Sequence, residues 1–197
     1  MPPVTFALLA ANVAVFLLQG MVGQDLFIWF ALWPPGIPGS SPAFEPWQLL
    51  TYGFLHGSLV HIAFNMFALY MFGPDIERLF GSRFFLWYYL ACVVAAAVAH
   101  LVVTGVAGLP PAPTVGASGG MFGLLLAFGW YFPQRRVLLL FPRIPMPARV
   151  FVTLYGALEL VLGVTGTQQG VAHFAHLGGM LGGWLMIELR RRAPRVH

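Results

Sequence analysis

The chain has 197 residues; 59% are hydrophobic, only 8% are charged, and the net charge is +4. A soluble chain carries about 25% charged residues, so this composition excludes a soluble enzyme or a soluble nucleic-acid-binding domain. The mean hydropathy of +0.80 places the chain in a membrane.

The apolar runs predict six spans, near residues 4–20, 55–72, 84–104, 115–132, 149–164 and 171–189. Each approaches the ~20 residues that cross ~30 Å of hydrocarbon. The expected fold is all-α, a six-transmembrane-helix bundle forming one domain over residues 1–197. The first run lacks a basic n-region and Met21-Val22-Gly23 is a poor cleavage site, so it reads as a span and not as a signal peptide. The connection Met21 to Phe54 is long and contains Trp33-Pro34-Pro35-Gly36-Ile37-Pro38-Gly39. It also carries Trp29, Trp33 and Trp47, residues that favour the membrane interface. Cys92, alone in the third span, reads as a small packing residue. Leu109-Pro110-Pro111-Ala112-Pro113 breaks the chain after that span.

All ten basic residues are arginines. Arg78 and Arg83 follow the second span, Arg135, Arg136, Arg143 and Arg149 the fourth, and Arg190, Arg191, Arg192 and Arg195 the sixth. The connections after spans one, three and five have none. Positively charged loops stay in the cytoplasm, so both termini are expected there. The arginines therefore report topology; no soluble domain gathers them into a nucleic-acid patch. The Ala-, Gly-, Pro- and Arg-rich, lysine-free composition points to a GC-rich bacterial gene, and hence to a bacterial inner membrane.

With that orientation, three polar clusters share one depth at the outer ends of the even-numbered spans: His61-Ile62-Ala63-Phe64-Asn65, Gly116-Ala117-Ser118-Gly119-Gly120 and His173-Phe174-Ala175-His176-Leu177-Gly178-Gly179. At 1.5 Å per residue they lie roughly 5–10 Å below the outer hydrocarbon edge. His61 and Asn65 are i and i+4 and share a helix face. His176, Gly179 and Gly183 share another, and Gly116, Gly119, Gly120 and Gly123 thin the fourth span. Small residues let membrane helices approach closely. Such a crossing brings the Ser118 hydroxyl to a His176 nitrogen, with the histidine as general base and then general acid. The Ser118 N–H, at a helix N-terminus, the Asn65 amide and His61 then suit an oxyanion.

Each residue has a blander reading. A serine in a membrane helix usually bonds back to its own helix, glycine-rich spans usually only pack, and His56, His61 and His173 are compatible with buried or gating polar groups. His173 and His176 together resemble a metal pair, yet no His-Glu-x-x-His is present and no carboxylate is near them in sequence, so no metal and no cofactor are expected. Glu159, in span five, is the one intramembrane acid. It reads as a buried, hydrogen-bonded acid facing the bundle, which leaves a Ser–His dyad. The conjunction at one depth raises catalysis above these alternatives.

At these residues the chain resembles the rhomboid family of intramembrane serine proteases, over nearly its whole length. Phe54-Leu55-His56 with His61 to Asn65 is similar to the family's second span. Gly73-Pro74-Asp75-Ile76-Glu77-Arg78-Leu79-Phe80-Gly81 is similar to its Gly-x-x-x-Glu-x-x-x-Gly signature. Gly116-Ala117-Ser118-Gly119 and Ala175-His176-Leu177-Gly178-Gly179 are similar to its nucleophile and histidine motifs. The resemblance implies the minimal six-span form, with a water-filled cavity open to the outer side. It implies Ser118 as nucleophile and His176 as base, where spacing alone leaves His173 open. It implies His61, Asn65 and the Ser118 N–H as oxyanion donors, Phe122 packed on the base, and Glu77 and Arg78 as structural. Gln48 stands where many members have Arg.

The expected activity is endoproteolysis of transmembrane-helix substrates near the outer face of the membrane, in contact with lipid. Substrates with helix-breaking and small residues at the cut are favoured, because a regular helix shields its peptide bonds. The rival readings are a catalytically inactive binder of membrane helices and a small transporter. The polar connection Thr165 to Gly170 and the outer end of span five are the expected gate.

Overall fold

The computed structural model describes residues 1–35, 42–108, 112–138, 144–166 and 172–192. Six long helices carry the fold: α1 (Pro3–Val22), α4 (Leu59–Phe80), α5 (Ser82–Val106), α6 (Ser118–Tyr131), α7 (Ala148–Thr165) and α8 (His173–Arg192). Two short helices, α2 (Gln24–Phe30) and α3 (Gln48–Thr51), lie in the first connection. Between α6 and α7, β1 (Arg136–Leu138) pairs antiparallel with β2 (Pro145–Pro147), a small hairpin that the sequence reading treats only as a connection.

By length and composition, α1, α4, α5 and α7 are each able to cross a membrane. The other two long helices differ for physical reasons. α6 has 14 residues, about 21 Å, and is shorter than the hydrocarbon core. It needs no lipid-facing length, because ten of its residues are buried, with apolar contacts on every side. α8 has 20 residues, but its two histidines, Glu188 and Arg190, Arg191 and Arg192 lower its hydropathy. It packs chiefly on α5 and α6.

Two spans begin and end elsewhere than the sequence pattern predicts. α4 starts at Leu59, not near residue 55, because Ser58 is extended and its hydroxyl accepts from His61 N at 3.1 Å. It continues through Pro74 to Gly81, where φ is 78°. The apolar run stops near Phe72, but helical hydrogen bonding carries on beyond it. α6 starts at Ser118 and not near 115, because Gly116 has φ 130° and cannot be helical.

Buried hydrogen bonds fasten α1 at both ends. The Glu77 carboxylate accepts from Val4 N at 2.9 Å and from Thr5 N, Thr5 Oγ1 and Ser82 Oγ at 2.7 Å. It thereby caps the start of α1 with an anion from another helix. At the other end, Gln19 donates to His56 O and accepts from His56 N, both at 3.0 Å. Gln48 orders the first connection: it is buried, accepts from Trp33 N at 3.1 Å, and donates to Trp29 O at 3.4 Å and Ala43 O at 3.3 Å.

The arginine-bearing helix ends meet on one face. Asp75 accepts from Arg78 at 3.2 Å and Arg135 at 2.6 Å. The Arg190 guanidinium lies 4.5 Å and 4.9 Å from the Phe84 and Phe80 ring centroids. The chain is thus an all-α membrane protein whose basic ends lie together, opposite the starts of α4, α6 and α8.

Candidate active site

Ser118 is the first residue of α6. Its N–H and those of Gly119 and Gly120 precede the first intrahelical bond, which Met121 N makes to Ala117 O at 3.1 Å. The run before it is pinned: Leu32 and Thr114 exchange backbone bonds at 3.0 Å, and Gly116 N donates to Tyr52 O at 2.9 Å. With φ 130°, Gly116 adopts a conformation that other residues rarely take, and a Cβ there would sit 2.7 Å from His61 Nε2. The glycine thus serves both the sharp entry into α6 and the approach of the His61 ring.

His176 comes one turn into α8 and reaches Ser118 by close helix packing. A Cβ on Gly179 would strike the carbonyl of Gly119; one on Gly183 would strike the Tyr88 hydroxyl and come 3.3 Å from Gly123 Cα. With two glycine faces in register, α6 and α8 approach closely enough for His176 Nε2 to lie 2.8 Å from Ser118 Oγ. Phe122 stacks on the His176 ring at 4.2 Å and 7°; Tyr155 stacks on Phe122 at 5.2 Å, and Phe151 on Tyr155 at 5.6 Å. This column of rings holds the imidazole plane.

The other predicted residues are placed as follows. His61 lies in the first turn of α4, with the buried His56 edge-on to it at 5.1 Å. Asn65 is buried and donates one amide N–H to the His61 carbonyl at 3.0 Å, which leaves a second N–H on the same nitrogen. Glu77 is at the opposite end of the molecule and caps α1. Of the expected gate, residues 167–170 lie outside the described residues.

Sequence reasoning set Glu159 apart as a buried acid facing the bundle. It is 4% exposed, and its Oε2 lies 2.9 Å from His176 Nδ1 and 2.7 Å from His173 Nδ1. Polar chemistry therefore enters the site from an odd-numbered span as well. A signal existed: Phe151, Tyr155 and Glu159 recur at i, i+4 and i+8, one face of α7, and His173 and His176 share a face of α8. The sequence did not say that these faces meet. The three ligand-type atoms lie within 4.8 Å of one another. Zinc bonds of ~2.0–2.2 Å would spread such atoms wider than the 2.7–2.9 Å found, which is hydrogen-bond spacing.

A Rhomboid domain profile matches residues 43–193. Over 140 residues the chain is 31% identical to Rhomboid protease GluP of Bacillus subtilis (strain 168), across 71% of this chain and 25% of that protein. Over 188 residues it is 29% identical to Rhomboid protease GlpG of Klebsiella pneumoniae (strain 342), across 93% of this chain and 62% of that protein. It is 33% identical over 149 residues to RHOMBOID-like protein 4 of Arabidopsis thaliana, across 72% of this chain and 33% of that protein. The chain thus spans from a quarter to under two thirds of these relatives. The profile match covers well over half of the sequence, and with the Ser118–His176 contact at the α6–α8 crossing it shows that the chain belongs to the rhomboid family.

Proposed function

We propose that the chain is an intramembrane serine endopeptidase that cuts transmembrane-helix proteins near the outer face of the membrane. The observation that carries this reading is the 2.8 Å contact between Ser118 Oγ and His176 Nε2. A hydroxyl aimed at an imidazole nitrogen is an activated nucleophile. His176 takes the serine proton during attack and returns it to the leaving amine. The Ser118 N–H, the free amide N–H of Asn65 and the His61 ring receive the oxyanion. The names of the bacterial relatives, rhomboid proteases, support the reaction class. Neither metal nor cofactor takes part, so EDTA leaves the activity unchanged.

The arginine-bearing ends meeting on one face support a reading of six spans with both termini cytoplasmic, in a bacterial inner membrane. The site then opens toward the outer side. A substrate helix must unwind there, because its own hydrogen bonds shield the peptide bond, so helix-breaking and small residues near the cut are favoured.

Covalent labelling with a fluorophosphonate tests the reading. The wild type is expected to label, and Ser118→Ala and His176→Ala to lose both labelling and cleavage of a transmembrane substrate while still folding. A fully folded wild type that never labels would favour an inactive helix binder or a transporter.

A further inference from the structure

We infer that Glu159 is a positioning residue that holds His176 in its proton-accepting tautomer, with His173 as the second donor that keeps the carboxylate oriented. This rests on the protease reading above. Four observations carry it. Glu159 Oε2 lies 2.9 Å from His176 Nδ1. His173 Nδ1 reaches the same oxygen at 2.7 Å. The Glu159 and His173 side chains are each only 6% exposed, and that of His176 12%. The far nitrogen of His176 meets Ser118 Oγ at 2.8 Å.

The hydrogen-bond roles follow from the groups. An ionised carboxylate only accepts, so both facing nitrogens carry N–H. With its proton on Nδ1, neutral His176 has a bare lone pair on Nε2, where the Ser118 hydroxyl donates. A protonated Glu159 would instead donate to one imidazole. Donation to His176 Nδ1 would force that ring's proton onto Nε2, where it cannot accept from serine. With both facing nitrogens donating to the one Glu159 oxygen, His176 takes the active arrangement. His173 thus has a function without touching Ser118.

The proton balance during attack is complete. Ser118 Oγ bonds to the substrate carbonyl carbon, the carbonyl π pair moves onto its oxygen, and the hydroxyl proton passes to His176 Nε2. The resulting imidazolium keeps its Nδ1–H on Glu159, which gains no proton and offsets the new charge. On collapse the C–N bond breaks and His176 gives its Nε2 proton to the leaving amine. Placing the acid on α7 and the base on α8 also ties base geometry to the position of α7. A carboxylate behind the histidine converts the serine–histidine pair into a triad.

The test uses the full chain in detergent. Glu159→Gln is nearly isosteric but uncharged, and its amide N–H₂ is able to donate to Nδ1 and favour the wrong tautomer. Its kcat on a transmembrane substrate is expected to fall by about 10²–10⁴-fold with KM unchanged, and its fluorophosphonate labelling to slow in parallel. A folded Glu159→Gln with kcat within about tenfold of wild type overturns the proposal. Nitrogen-15 NMR of histidine-labelled wild type decides the matter even where the variant does not fold. An Nδ1–H, Nε2-bare His176 is expected, and an Nε2–H tautomer overturns the carboxylate's role. Normal Ser118-dependent labelling with an unaffected Glu159→Gln defeats this inference alone. Labelling of Ser118→Ala at the wild-type rate defeats the protease reading itself.

Discussion

At the residue scale, the proposed site divides into groups assigned to the reaction and groups that hold them. Ser118 and His176 are in direct contact; Phe122 and Glu159 constrain the imidazole by its face and its Nδ1. Asn65 is different, because its amide is already engaged with the His61 carbonyl. Asn65→Ala removes one oxyanion donor and leaves the Ser118 N–H. Its kcat is expected to drop by roughly 10²–10³-fold, less than that of Ser118→Ala in the same assay. Loss equal to that of the serine variant, in a folded protein, would show that Asn65 does more than share an oxyanion. His173→Ala is expected to retain measurable activity, because His176 Nδ1 keeps its carboxylate partner. A dead His173→Ala beside an active His176→Ala would mean the base is misassigned.

At the element scale, the reactive distance is a product of helix packing. α6 and α8 meet glycine to glycine, and at Gly179 the neighbour is the Gly119 backbone, which no rotamer change can move aside. Gly179→Val is expected to cost stability, about 1–3 kcal/mol by overpacking, and to abolish labelling because the crossing widens. A thermal melt and a labelling assay on the same sample check both. An equally stable, fully active variant would place the crossing elsewhere. α7 is held more loosely: it packs mainly on α6 and α8, and Leu158, Leu160, Val161 and Val164 beyond its middle are exposed. Glu159 anchors it to α8 below that exposed end. A cysteine cross-link between the C-terminal end of α7 and the N-terminal end of α4 is therefore expected to slow cleavage of a whole transmembrane substrate more than labelling by a small fluorophosphonate. Unchanged protein cleavage would put substrate entry beside the first connection instead.

At the scale of the whole molecule, the two ends do different work. One end gathers His61, Ser118, His176 and Glu159. The other end gathers Glu77, Asp75, Arg78, Arg135 and Arg190, and holds the bundle together. Glu77→Ala leaves the half-buried Val4 and buried Thr5 N–H groups without their acceptor. Unpaired donors cost about 1–3 kcal/mol each, so the melting temperature is expected to fall clearly, while labelling per folded molecule changes far less. Loss of labelling without loss of stability would mean that Glu77 communicates with the site.

The sequence by itself determined the membrane class and the order of the long helices, and it singled out Ser118, His61, Asn65 and the pair His173 and His176 as candidates. Composition, apolar runs and short motifs are local properties, readable along one strand of chain. It misplaced the start of α4 because the extended Ser58, whose hydroxyl accepts from His61 N, begins the helix only after Leu55-His56-Gly57, and its end because helical bonding outlasts hydrophobicity. Membrane-crossing length was also a poor guide to α6, whose neighbours are protein and not lipid. Only the tertiary structure decided which histidine faces the serine, since His173 and His176 share one helix face and differ by a single turn. Only it decided that Glu159, 17 residues from His176 in sequence, lies behind the base. That choice depends on how far α6 and α8 close on each other and how α7 rotates against them. Interhelical distance and rotation come from packing across the whole bundle, which no single segment encodes.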